Sequence, residues 1–259
     1  TALNMASRVS KTTGRASALW LIGGSFAMGF GIWSMHFIGM LAFNLPISLG
    51  YDVPLTLLSL LMAIASSAFA LWLVCQKDLP WTRLTLGGLM GSGIASMHYT
   101  GMEAMLMTPS IIYIPWVVAL SVVIAILASG AALWLAFRLR GGSNKATYAR
   151  IGAALVMGCA IVGMHYTGMA AAQFPEGSFC GAANNGIDTK WLAVLVIVVS
   201  LAVFAIALIV SMLDVRTTVI ANSLDQANSE LLQLALRDNL TKLPNRALLD
   251  DRLEQAISK

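Results

Sequence analysis

Six apolar stretches dominate the chain, and each is long enough to cross a bilayer, which takes about 20 helical residues. They lie at 18–45, 53–76, 84–107, 116–137, 150–174 and 191–213. Short loops with Gly, Pro and charged residues separate them, and the chain becomes polar after Leu213. This pattern predicts an all-α, polytopic transmembrane helix bundle followed by a cytoplasmic signalling helix. The apolar start of residues 1–7 is expected to be the end of a seventh span.

Basic residues mark alternate loops. Arg and Lys concentrate at 8–15, 77–83 and 138–150, whereas the loops at 44–52, 108–115 and 175–190 contribute only Lys190. Because basic loops stay in the cytoplasm, both ends of the six-span region are expected inside.

The composition agrees with a membrane protein. Hydrophobic residues make up 58% and charged residues 11% of the chain, against about 25% charged in soluble domains. This excludes a nucleic-acid-binding protein and an ordinary soluble enzyme for most of the chain. Three cysteines without close spacing exclude a disulfide framework and a zinc ribbon.

An internal repeat organises the six spans. The strings MGFGIWSMHFIGM at 28–40, MGSGIASMHYTGM at 90–102 and MGCAIVGMHYTGM at 157–169 stand in alternate spans. The intervening spans repeat as well, with LSLLMAIASSAFALWL at 58–73 and LSVVIAILASGAALWL at 120–135. The bundle is therefore expected to consist of three two-helix hairpins. All 3 histidines of the protein occupy the same position of this repeat.

Helical geometry places chemistry on one face of each repeat. At about 100° per residue, the Met four positions after each His lies one turn above it, and glycines lie close by. Small residues allow membrane helices to approach closely. Three such faces around one axis would form a shared site near the outer membrane surface.

Imidazole and thioether ligands together favour a soft metal, and neutral ligands suit Cu(I) in an apolar interior. The candidate metal ligands are Met35, His36, Met40, Met97, His98, Met102, Met164, His165 and Met169. Haem, iron or zinc is the competing ligand, because His and Met also bind haem iron. The alternative without a metal is that the histidines bond between helices and the methionines fill gaps.

At MHYTGM the chain resembles the MHYT family of bacterial membrane sensor domains, over about residues 1–214. The resemblance implies a multi-pass sensor of the bacterial inner membrane that binds copper and senses O2, CO or NO. The resemblance assigns the family's metal ligands to the Met–His pairs at 35–36, 97–98 and 164–165. The methionines at 40, 102 and 169 are added as candidate ligands on the helical geometry alone. The first copy departs from the family pattern, with MHFI in place of MHYT.

The segment 215–236 has a short seam of apolar positions. They follow a 4-3-4-3 spacing at Ile220, Leu224, Ala227, Leu231 and Leu234. This spacing is typical of a coiled coil and predicts a homodimer through this helix. An amphipathic linker helix fits two heptads equally well.

The last segment, 237–259, contains DNLTKLPNR, which resembles the opening of GGDEF diguanylate cyclase domains. The signature loop and its metal carboxylates are not in the chain, so we expect no cyclase activity from it. The resemblance implies a longer parent protein that makes cyclic di-GMP, hydrolyses it with an EAL domain, or does both, in biofilm control.

The sequence thus predicts a sensor region at 1–214, a signalling helix at 215–236 and a truncated GGDEF start at 237–259. The alternatives are a copper transporter and a membrane anchor for a dimeric cyclase. The partners expected are the bilayer, a diatomic gas and a second copy of the chain, and not nucleic acid.

Overall fold

The computed structural model describes residues 14–43, 45–75, 81–138 and 144–237, with 241, 243, 245, 249 and 254–257 beyond them. These residues form six long helices: α1 (Arg15–Ala42), α2 (Val53–Val74), α3 (Trp81–Glu103), α4 (Pro115–Arg138), α5 (Asn144–Ala171) and α6 (Thr189–Leu236). The all-α fold is confirmed. The seventh span and most of the GGDEF-like stretch lie outside the described residues.

Five of the described helices are long and apolar enough to cross a membrane, and α3 is the exception. The predicted third span is therefore observed as a long helix, but it is less apolar than the other five. The helix has the required length, but Gly, Ser and Thr lower its hydropathy. It packs against both α2 and α4, so neighbouring helices cover much of its surface.

Local signals explain where two helices begin. The side chain of Asp52 accepts a hydrogen bond from the backbone N–H of Leu55 at 3.0 Å, which caps α2. Pro54 in the first turn of α2 and Pro115 at the start of α4 need no intrahelical partner there.

The first two predicted hairpins, α1 with α2 and α3 with α4, are observed, whereas the described residues do not show α5 packed closely along α6. The motif helices (α1, α3 and α5) contact one another, and α2 and α4 pack against the motif helices on either side of them in the chain. Glycines allow two close approaches: a Cβ on Gly29 would collide with the α2 backbone, and a Cβ on Gly91 with the α4 backbone. The indole of Trp33 donates to the Ser59 hydroxyl at 3.0 Å and ties α1 to α2.

Three short antiparallel ladders join the loops at one end of the bundle. Strand β1 (Gly50–Tyr51) pairs with β6 (Ile187–Asp188), β2 (Met107–Thr108) with β5 (Phe179–Cys180), and β3 (Ile112–Tyr113) with β4 (Ala172–Gln173). We call residues 45–52, 104–114 and 172–188 the cap. The apolar pattern did not predict these two-residue strands.

The chain divides into two compact units, residues 1–204 and 205–259. In the first unit, Leu192 and Val196 of α6 are fully buried. In the second unit, the described helical residues are mostly exposed. The span predicted at 191–213 and the signalling helix predicted at 215–236 are one uninterrupted helix of 48 residues.

Candidate metal centre

Three imidazoles meet at the centre of the motif helices. The Nδ1 atoms of His36 and His98 are 3.0 Å apart, and that of His165 lies 3.2 Å from each of them. Each histidine is only 1% exposed. The repeat thus predicted correctly that the three histidines converge.

The equal depth of the histidines follows from the repeat. Each lies five or six residues before the last residue of its helix, which is about 8–9 Å along the axis from the cap end. Because α1, α3 and α5 contact one another, the three side chains reach a common axis.

The two nitrogens of each ring have different surroundings. The Nδ1 atoms point toward one another, whereas each Nε2 lies against a glycine of a different motif helix. His36 lies against Gly101, His98 against Gly168 and His165 against Gly39. The rings meet edge to face, with centroids 4.8 to 5.1 Å apart.

The spacing of the Nδ1 atoms fits a bound ion. A point equidistant from the three atoms lies about 1.8 Å from each, slightly less than a metal–imidazole bond of about 2.0 Å. Three protons cannot all fit between atoms this close, and three bare lone pairs repel one another. A cation that accepts the lone pairs removes both problems, so the donor set suits a metal.

The outer nitrogens of the three rings bear on the metal interpretation and on the packing interpretation alike. The Nε2 atoms of His36, His98 and His165 are buried without a hydrogen-bond partner. Buried polar groups nearly always have one, and leaving one unpaired costs about 1–3 kcal/mol. A metal-bound imidazole also normally donates its other N–H to a partner, so the orphaned Nε2 atoms do not distinguish the metal site from packing histidines.

Among the described residues, these histidines form the cluster of possible His, Cys, Asp or Glu ligands. Glu103, which follows Met102, is exposed and accepts a bond from the Tyr113 hydroxyl at 3.3 Å. Cys159 is exposed on α5. Neither side chain is part of the cluster.

The motif methionines lie in and around the apolar core. Met40, Met97, Met102 and Met164 are buried there, while Met35 and Met169 are half-buried. This burial suits sulfur ligands and gap-filling side chains alike. Metal binding, by the histidines or the methionines, stays a prediction.

The residue after each histidine forms an aromatic contact but differs between repeats. Each of these rings lies edge-on to the histidine before it. The ring centroids are 4.9 Å apart for Phe37 and for Tyr99, and 5.2 Å apart for Tyr166. Phe37 is fully buried, whereas Tyr166 is 55% exposed. The Tyr99 hydroxyl bonds the Ser121 hydroxyl of α4 at 2.7 Å. The hydroxyl of Tyr99 is therefore engaged with α4.

The cap adds two residues that the sequence analysis did not connect with the site. Tyr51 is fully buried with its ring 5.4 Å from that of Phe37, and its hydroxyl has no partner. Burial, and secondarily Cys180, raises the pKa of Tyr51. The Cys180 thiol donates to the carbonyl oxygen of Met105 at 2.9 Å. No local signal in the sequence indicates that Cys180 is buried.

Comparison with known families agrees with this architecture. The family model MHYT, described as "Bacterial signalling protein N terminal repeat", matches residues 29–87, 91–149 and 158–222. The chain belongs to the MHYT family. Its apolar helices and its relatives identify it as a multi-pass membrane protein.

Two similar proteins come from Pseudomonas aeruginosa. The bifunctional diguanylate cyclase/cyclic di-GMP phosphodiesterase MucR is 72% identical, over 100% of this chain and 38% of its own length. The cyclic di-GMP phosphodiesterase NbdA is 37% identical, over 99% of this chain and 34% of its own length. The signaling protein YkoW of Bacillus subtilis is 40% identical over 66% of this chain.

The chain thus spans little more than a third of the length of MucR and NbdA. The resemblance to an MHYT region of a MucR-type regulator is confirmed. No solved structure matches the chain.

Proposed function

We propose that the chain is the sensing region of a bacterial inner-membrane regulator, in which His36, His98 and His165 hold one copper ion. A diatomic gas (O2, CO or NO) or a change in copper or redox state would alter this site. The signal would control cyclic di-GMP synthesis or breakdown by output domains in a longer protein. The observation that carries this proposal is the triangle of Nδ1 atoms 3.0 to 3.2 Å apart.

The surroundings of the site favour a singly charged ion. The described ligand cluster contains neutral imidazoles and no carboxylate, and an uncompensated double charge is costly in an apolar interior. Imidazole nitrogen, with or without thioether sulfur, is a suitable donor for Cu(I). Copper held this way would supply a centre that binds diatomic gases.

Haem fits the same residues poorly. The Nε2 edges of the imidazoles lie against glycines of neighbouring motif helices, and the ring centroids are about 5 Å apart. A macrocycle would have to separate helices that pack directly on one another.

We place the cap on the outer face of the membrane and the C-terminus in the cytoplasm. Arg15 begins α1 and Arg138 ends α4, both at the helix ends away from the cap. Basic residues at this end agree with the positive-inside rule. The seam on α6 would then dimerise in the cytoplasm, next to the output domains.

The relatives support the link to cyclic di-GMP. MucR and NbdA are named for its synthesis or breakdown, and the chain aligns with them over nearly its whole length. The same residues could serve copper transport, but the described ligand cluster occupies one depth rather than a path across the membrane.

Metal content after purification tests the proposal. The detergent-purified chain should contain about one copper per protein, and His98→Ala should reduce this about tenfold or more, because one of three ligands is lost. Ser96→Ala, at an exposed position of the same helix, should retain the metal. In the longer protein, His98→Ala should abolish the response of cyclic di-GMP turnover to copper or nitric oxide and leave basal turnover.

Two results would contradict the proposal. If His98→Ala retains metal and responds as the wild type does, His98 is a packing residue. If the protein carries copper across vesicle membranes at a rate that His98→Ala abolishes, the site belongs to a transporter.

A further inference from the structure

The contacts between imidazoles and glycines form a closed ring through the three repeats. His36 of the first motif lies against Gly101 of the second, His98 against Gly168 of the third, and His165 against Gly39 of the first. Each glycine stands three residues after the histidine of its own motif. Each glycine therefore contacts the imidazole of a neighbouring repeat and not that of its own.

These glycines leave no room for a side chain. A Cβ on Gly39, Gly101 or Gly168 would overlap the Nε2 atom of the facing imidazole. The histidines are 1% exposed and packed in the core, so the ring cannot swing out to relieve the overlap. The remaining direction is toward the axis, where the other two Nδ1 atoms lie within 3.2 Å.

We infer that Gly39, Gly101 and Gly168 are positioning residues, each of which seats the histidine of the preceding repeat in the ring with Nδ1 turned toward the axis. The glycine determines how far the imidazole lies from the axis between the three motif helices and which ring nitrogen faces that axis. Selection of Nδ1 as the ligand atom rests on the proposed metal site, whereas the packing between repeats does not.

Gly158 provides a matched control for Gly168 on the same helix. A Cβ on Gly158 meets nothing within 4 Å. In the metal-free chain, Gly168→Ala should lower the Tm by about 5 °C, because an added methyl group overpacks a filled interior. Gly158→Ala should leave the Tm unchanged or raise it, because alanine favours helix. Equal effects of the two substitutions would overturn the inference.

A double-mutant cycle tests which histidine each glycine seats. His98→Ala removes the ring that faces Gly168, so adding Gly168→Ala to it should cost little or no further Tm. In a His165→Ala background a clear loss should persist although His165 belongs to the same motif as Gly168, because the His98 imidazole still faces Gly168 and the space freed on the axis relieves only part of the overlap. Coupling of Gly168 to His165 instead of His98 would contradict the ring of contacts.

The cycle remains decisive if Gly168→Ala alone does not fold. Removing the facing imidazole should then rescue folding. A double variant with His98→Ala that also fails to fold would show that the methyl group collides elsewhere.

In the metal-loaded chain, Gly168→Ala should weaken copper binding about tenfold and Gly158→Ala should not. A wild-type chain that binds no copper would refute the proposed function while the metal-free cycle still tests the packing.

Discussion

The Nδ1 atom of His36 lies 3.0 Å from the Nδ1 atom of His98, across 62 residues of chain. This distance is that of an ordinary hydrogen bond, and the rings are nearly perpendicular, with an interplanar angle of 83°. His165 stands at almost the same distance from both. The symmetry of the contact suits an ion on the axis better than one shared proton.

Copper should therefore stabilise the folded protein. A ligand at about a thousand times its Kd adds roughly 4 kcal/mol to the free energy of unfolding, equivalent to about 10 °C in Tm for a domain of this size. Thermal unfolding in detergent, with Cu(I) kept reduced under anaerobic conditions, should show this rise in the wild type and not in His36→Ala. An equal rise in both proteins would place the copper elsewhere.

Tyr99 and Tyr166 occupy the same motif position but should respond differently to the loss of the hydroxyl. Tyr99→Phe removes the 2.7 Å hydrogen bond to Ser121 and should lower the free energy of unfolding by about 1 kcal/mol. Tyr166 is exposed, so Tyr166→Phe should have almost no effect. Thermal melts of the two variants provide the comparison, and equal stabilities would disprove the role of Ser121.

Gly91 and Gly158 also share a repeat position. A Cβ on Gly91 would collide with the backbone of Ala125, whereas Gly158 faces open space. Gly91→Ala should destabilise the bundle by about 1–3 kcal/mol through overpacking, and Gly158→Ala should be neutral or stabilising. A Gly91→Ala protein that melts at or above the wild-type temperature would refute the close packing of α3 on α4.

Cys180 should stabilise the cap. Cys180→Ala removes the thiol that bonds the carbonyl of Met105 and leaves a small cavity, at a cost of about 1–2 kcal/mol. Hydrogen exchange should accelerate at cap amides such as that of Gly181, which bonds the Leu106 carbonyl. The control is Cys159→Ala on the exposed face of α5, and unchanged cap exchange in Cys180→Ala would show that the thiol contributes nothing.

The apolar seam of α6 should mediate dimerisation in the cytoplasm. Leu224 is 68% exposed, and Leu224→Glu would bury a charge in a paired seam. Chemical crosslinking in membranes should show loss of the dimer in this variant. Asn222→Glu, off the seam on the same helix, should still crosslink. Dimers that survive Leu224→Glu would assign dimerisation to another surface.

Much of the fold was predictable from sequence because bilayer length and apolar composition act locally. The predicted start of the second span, Val53, is the observed start of α2. The common depth of His36, His98 and His165 was also predictable, because identical strings stand at nearly the same distance from the helix ends. α3 is less apolar than the other spans, because it packs between α2 and α4 and exposes less of its surface to lipid.

The chemistry of the centre depended on tertiary structure. The helical repeat put glycine near histidine, but the glycine that seats His36 is Gly101 of another motif, 65 residues away. Which nitrogen faces the axis, why Tyr99 is bonded and Tyr166 exposed, and how the cap closes over Cys180 all depend on helix rotation and on neighbours distant in the chain. A local pattern specifies which face of a helix is chemically active, and packing between helices decides what that face meets.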